Sequence, residues 1–239
     1  MAGLEESAVG GLQLKDKQTS EGAVFLMNSL EAIYGEAVNI PRFEPLEELV
    51  SCIMSQHGSD VFTYPAFTRL RETFPDWADV VAAGPERVAE VIRDAGLANQ
   101  KARSILSVLT AIRERFGDYT LDPIYKMETD EAYDWLISLP GVGPKTASLV
   151  LSFSFGRHRV PVDTHVGRVT ARWGLLPPKT NDAKAHLLLN ALCPLGTAYR
   201  FHAALIQHGR LTCRAKKPDC PRCAVRTSCR FFQENGLVS

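Results

Sequence analysis

The chain has 239 residues, 45% of them hydrophobic and 23% charged, a balance that fits a globular protein with a sizeable core. No apolar run approaches the ~20 residues needed to cross a bilayer, and the small, polar, acidic start lacks the basic and apolar blocks of a secretory signal, so a membrane or secreted protein is not expected and a cytoplasmic, nucleoid-associated one is. The formal net charge of +0 conceals an asymmetry: residues 1–140 hold 12 Lys+Arg against 23 Asp+Glu, and residues 141–239 hold 15 against 4, balances of −11 and +11 that point to a polyanionic partner for the second half.

In chain order, residues 1–20 are expected to be disordered. Apolar residues then recur at i, i+3, i+4 spacing over Ala23–Tyr34, Leu46–Met54, Pro85–Asp94, Lys101–Phe116, Asp130–Ser138 and Ala183–Leu192, which predicts helices. Gly96 is expected to end the helix after Pro85, Thr129 or Asp130 to cap the one before Ser138, and Thr180–Asp182 to cap the one after. No run alternates as a strand would. The fold class is all-α.

Leu139-Pro140-Gly141-Val142-Gly143-Pro144-Lys145-Thr146-Ala147 lies between two helical stretches and reads as the turn of a helix-hairpin-helix spanning about 130–155. Gly141 and Gly143 clear the turn of side chains, so backbone N–H groups and the N-terminus of the next helix can approach a phosphate oxygen. Pro144 suits the first helical position, where its missing N–H has no helical partner.

Cys213-x6-Cys220-x2-Cys223-x5-Cys229 crowds four thiols into one short segment. Thiolates are soft ligands for zinc or for iron–sulfur clusters. The outer spacings are not those of a common zinc finger, which favours a cluster over zinc, and two disulfides are the further alternative. Four clustered cysteines in a chain without a signal fit a reducing compartment. Cys52 and Cys193 lie in apolar helical contexts and are expected in the core.

These motifs, with Val162-Asp163-Thr164-His165 and His208-Gly209-Arg210, occur in the order that characterises the endonuclease III family of helix-hairpin-helix DNA glycosylases, which this chain resembles over about residues 25–230. The resemblance implies two domains: a six-helix barrel over 38–157, and an iron–sulfur cluster domain made of 1–37 and 158–239, with DNA in the cleft between them. It implies a [4Fe-4S] cluster on the four cysteines, a monomer, and double-stranded DNA carrying a damaged base or an abasic site as the partner.

The implied activity is base-excision repair. Oxidised pyrimidines are removed by lysine Schiff-base chemistry and the strand is cut by β-elimination. Lys145 matches the family's nucleophile, since a neutral amine can displace a base and hold the sugar covalently. Asp163 matches the essential carboxylate, which can stabilise charge developing on the sugar, and it is also a plausible N-cap. For His165 a structural hydrogen bond is the better reading. Because the target base must leave the stack, the family fills the void from a segment corresponding to Ser55-Gln56-His57-Gly58; His57 takes the filling position here, with Gln56 before it, a departure from the commoner Gln or Asn. Leu97 matches the wedge on the opposite strand. Gly141, Gly143, Thr146, Lys216 and Lys217 are expected phosphate contacts, and Arg214 and Arg222 add to a basic cluster loop whose binding should be salt-sensitive. The segment 117–128 is longer than in the best-known bacterial enzymes and is expected to extend a surface loop. A monofunctional adenine or thymine mismatch glycosylase is the rival, against which Lys145 argues; a weakly active or non-catalytic DNA-binding homologue is the other.

Overall fold

Amphipathic periodicity becomes eleven α-helices among the described residues, which in this computed structural model are 17–235, and no strand occurs among them. The helices are α1 (Ser20–Tyr34), α2 (Pro45–Ser55), α3 (Asp60–Thr73), α4 (Trp77–Val91), α5 (Ala98–Phe116), α6 (Thr129–Ser138), α7 (Pro144–Phe155), α8 (Thr164–Trp173), α9 (Asp182–Leu192), α10 (Ala198–Leu211) and α11 (Arg230–Glu234). No helix among the described residues is long and apolar enough to cross a membrane. Of the stretch expected to be disordered, residues 1–16 lie outside the described ones; Thr19 accepts a hydrogen bond from the Gly22 N–H and caps α1.

The chain divides into two units. One runs to Val38 and resumes at Val162; the other is Asn39–Pro161 and holds α2 to α7. In the second unit, Leu49, Ile53, Leu70, Ile105, Leu109, Leu136 and Leu151 are all nearly sealed from solvent and form one core. Buried side chains of this kind each stabilise by roughly 1.5–3 kcal/mol. Cys52 and Cys193 are buried in their respective units, as expected.

Three local readings are corrected. α4 begins at Trp77 and breaks at Gly84 (φ +78°, ψ 166°), and Pro85 restarts it because a proline disfavours helical geometry in the residue before it. It then ends at Val91, and Gly96 closes a separate 3-10 turn, Arg93–Ala95, instead. Thr129 and Asp130 lie inside α6, which is preceded by Glu128 with no side-chain cap; Asn181 does cap α9, accepting from the Lys184 N–H at 2.9 Å. The 117–128 segment is not a projecting loop. Asp122–Lys126 forms a 3-10 helix, and Leu121 and Ile124 are 1% and 0% exposed in the core, because two apolar side chains so spaced on a tight turn drive it inward.

In the first unit, α1 packs on α10. The guanidinium of Arg200 grips the Glu31 carboxylate with two bonds of 3.0 and 2.8 Å, and Phe201 beside it is fully buried. Phe25 stacks on Trp173 at 6.1 Å, and the Trp173 indole N–H donates to Ser228 Oγ at 3.2 Å, which satisfies its only polar atom.

Candidate DNA-repair site

The hairpin turn is built from backbone. Gly141 has φ +79°, a conformation L side chains rarely adopt, and a Cβ there would lie 3.1 Å from Ser104 Oγ. Gly143 is extended and open, with nothing within 4 Å of where a Cβ would stand. Pro144 occupies the first position of α7, followed by Lys145, which is exposed, and Thr146, which is buried. The N–H groups of Lys145 and Thr146 lack intrahelical acceptors and face outward with the positive end of the helix dipole.

Gln56 and His57 follow the end of α2. The Gln56 amide donates to the Gly141 carbonyl at 2.8 Å, while His57 is exposed at φ +52°. Leu97 is 55% exposed, also at φ +52°, immediately ahead of α5. A left-handed conformation at such residues costs on the order of 1–2 kcal/mol each. Lys145, Gln56, His57 and Leu97 all belong to the second unit. Below α7 lies a pair that the sequence reading missed: Glu48, 6% exposed, accepts from Cys52 Sγ at 3.6 Å. Burial pushes the Cys52 thiol far up and Glu48 adds to this; the Lys145 ammonium acts in the opposite sense.

Asp163 belongs to the first unit and opens α8. Its Oδ1 accepts from the N–H groups of His165 (2.9 Å) and Val166 (2.8 Å), so the N-cap is real, and both bonds fall on one oxygen. His165 Nδ1 sits 3.1 Å from Arg168 Nη2; a guanidinium only donates, so Nδ1 accepts and the ring proton is on Nε2. Gly209 makes this possible: a Cβ there would stand 2.9 Å from both Cβ and Nδ1 of His165.

Cys213, Cys220, Cys223 and Cys229 are all free thiols and line a single cavity with Trp173 and His208. Burial pushes the thiols of Cys220, Cys223 and Cys229 up, that of Cys223 to about 11, and neighbouring cysteines push in the same direction. Burial therefore disfavours the thiolate form of these three, and a cation at the centre would offset that, which fits a metal group. Among the described residues, no three His, Cys, Asp or Glu side chains are arranged to hold a single metal ion. His208 is nearly sealed from solvent, with Nδ1 3.0 Å from the Tyr34 hydroxyl and Nε2 3.7 Å from Cys223 Sγ; burial lowers its pKa to about 4, so it is neutral at physiological pH.

Two arginines one turn apart on α8 fasten this segment. Arg168 donates to the carbonyls of Cys213 and Gly209, both at 2.9 Å, and Arg172 to those of Arg214 (2.7 Å) and Ala215 (3.0 Å) and to Cys213 Sγ at 3.6 Å. Neither stood out in the sequence, because the carbonyls that hold them to this segment are backbone atoms 41 to 45 residues away. The Arg168 and Arg172 spacing of four on a helix was the signal available. Lys216 and Lys217 are exposed, Lys217 at φ +52°; Arg222 is held by Asp219.

With a glycine-cleared hairpin ahead of a lysine-bearing helix and a capped aspartate ahead of the next, the comparison with known proteins is direct. The chain belongs to the HhH-GPD superfamily of base excision DNA repair proteins, whose model matches residues 50–194. It is similar to Endonuclease III of Sulfolobus acidocaldarius, with 32% identity over 191 residues covering 78% of this chain and 82% of that protein. Among solved structures it resembles a non-covalent Endonuclease III–DNA complex (TM-score 0.78, 26% identity, 92% and 99% of the two chains) and a trapped Endonuclease III–DNA covalent intermediate (TM-score 0.76, 28% identity, 91% and 99%). The fold class and the family expected from the motifs are borne out.

Proposed function

We propose that Lys145 is the nucleophile of a DNA glycosylase with abasic-site lyase activity that acts on oxidised pyrimidines in double-stranded DNA. The observation that carries this reading is the placement of Lys145: exposed, at the start of α7, directly behind a turn whose backbone is open to a phosphate. The neutral amine displaces the base at the anomeric carbon, the C1′–O4′ bond then opens to a Schiff base as O4′ takes up a proton, and loss of the acidified C2′ proton to water expels the 3′ phosphate. The relative trapped as a covalent DNA intermediate supports this chemistry. Asp163, with Oδ1 committed to the cap, uses Oδ2 to stabilise the positive charge that develops on the sugar.

His57 and Leu97 enter the stack as the nucleotide leaves it, and Gly141, Gly143, Thr146, Lys216 and Lys217 hold the backbone. Gln56 fixes the hairpin turn beside His57. The unit of six helices α2 to α7 is the barrel domain, and the other is the cluster domain. Cys213, Cys220, Cys223 and Cys229 would hold a [4Fe-4S] cluster, which their shared cavity and their outer spacings, unlike those of a common zinc finger, support. When bound, a cluster ligated by four thiolates has no open position for hydrolysis and supplies a rigid support or an electron relay. The protein works on chromosomal DNA in the cytoplasm.

The test is a duplex with one abasic site, treated with the protein and sodium borohydride, comparing wild type with Lys145→Ala. A covalent adduct that the variant fails to form establishes the nucleophile. Tight binding by wild type with no adduct would overturn the lyase reading in favour of a monofunctional glycosylase or a non-catalytic binder.

A further inference from the structure

Lys101 is 4% exposed, and no carboxylate among the described residues pairs with it. A buried ammonium is costly unless its bonds are good. Its Nζ donates to the Ala95 carbonyl at 2.6 Å, and its own backbone N–H donates to the Leu97 carbonyl at 3.0 Å. The side chain thus holds the chain just before the turn Gly96-Leu97, while the backbone N–H makes the first helical bond of α5 to Leu97 itself; the two turn residues have φ of +70° and +52°. Arg69 holds the segment that leads into this turn from α3, bonding the Val91 carbonyl at 2.7 Å and the Asp94 carboxylate at 2.8 Å.

The second contact is with Gly58, the residue after His57. A Cβ on Gly58 would stand 2.8 Å from Thr63 Cγ2, 3.3 Å from the Ala95 carbonyl oxygen and 3.4 Å from Lys101 Nζ. The His57 loop therefore lies directly against the bond between Lys101 and Ala95. Two exposed tips, each kept in a left-handed conformation that a non-glycine residue resists, share one buried clamp. Strain of this kind persists only where the surroundings over-determine it.

We propose that Lys101 is a positioning residue that sets the distance between His57 and Leu97, so that the two side chains invade a duplex as a preset pair. This rests on the placement of His57 and Leu97 in the DNA stack proposed above. A single strand bearing an abasic site has no stack to open, so the clamp matters only on duplex.

The experiment compares wild type, Lys101→Met and Gly58→Ala on the same abasic strand, alone and in duplex, reading borohydride-trapping rate and binding anisotropy together. Lys101→Met is expected to lose about tenfold or more on duplex while staying within about twofold of wild type on single strand, since small displacements away from the chemistry carry losses of that size. Gly58→Ala leaves the lysine in place but wedges the loops apart, and it is expected to show the same selective loss; it carries the test if Lys101→Met does not fold. Equal loss on both substrates, or none on either, overturns the proposal. If wild type forms no adduct, the nucleophile reading fails by itself, and the duplex-to-single-strand binding ratio still decides the role of Lys101.

Discussion

Gln56 and Gly141 are 85 residues apart in the chain and joined by one hydrogen bond, from the side-chain amide to the backbone carbonyl at 2.8 Å. The end of α2 and the hairpin turn are thereby one piece. The bond is exposed, so its net worth is modest, on the order of 1 kcal/mol.

Gln56→Ala should therefore weaken binding to abasic duplex by about threefold to tenfold, measured by anisotropy, with little change in melting temperature. An unchanged affinity would mean that the turn holds its shape without Gln56.

Asp163 carries a cap and a proposed charge role on the same carboxyl group, and substitution separates them. Asn also caps helices well, so Asp163→Asn should melt within a few degrees of wild type yet lose about a hundredfold or more in turnover. Asp163→Ala should lose the cap as well, about 1 kcal/mol of stability in denaturant titration. Full activity in the Asn variant would reduce Asp163 to its cap.

Arg172 bonds two carbonyls and reaches one thiol of the cysteine segment. In Arg172→Met the visible absorption of the loaded protein should bleach under a chelator about tenfold faster than in wild type, because groups that orient ligands commonly matter by that much. Equal bleaching rates would show that Arg168 suffices.

Glu48 is a buried carboxylate whose pKa burial raises, with Arg42 at 4.0 Å and the hydrogen bond from Cys52 opposing the shift. A carboxyl that titrates higher when folded than when unfolded adds stability below its unfolded pKa and loses it as pH rises through the folded value. Glu48→Gln should thus raise the melting temperature at pH 8, with the gain shrinking as pH falls toward 4. A gain that is the same at both ends would place its cause in packing rather than in charge.

Much of this protein was legible from short-range chemistry. The 3.6-residue period located α1, α2, α5 and α9, Gly141 marked the turn, and Asp163 announced the cap it makes, because each depends on residues within a turn or two of one another. The cysteine spacing likewise brought four thiols into one segment. What tertiary structure decided is which polar groups end up enclosed and by what. Thr146 turned inward, Lys101 was buried against a carbonyl, Leu121 and Ile124 drew a supposed surface loop into the core, and Arg168 and Arg172 found acceptors on distant backbone. Burial and partnering across such separations depend on where the chain returns in space, and a carbonyl acceptor leaves no mark in the identity of the residue that bears it.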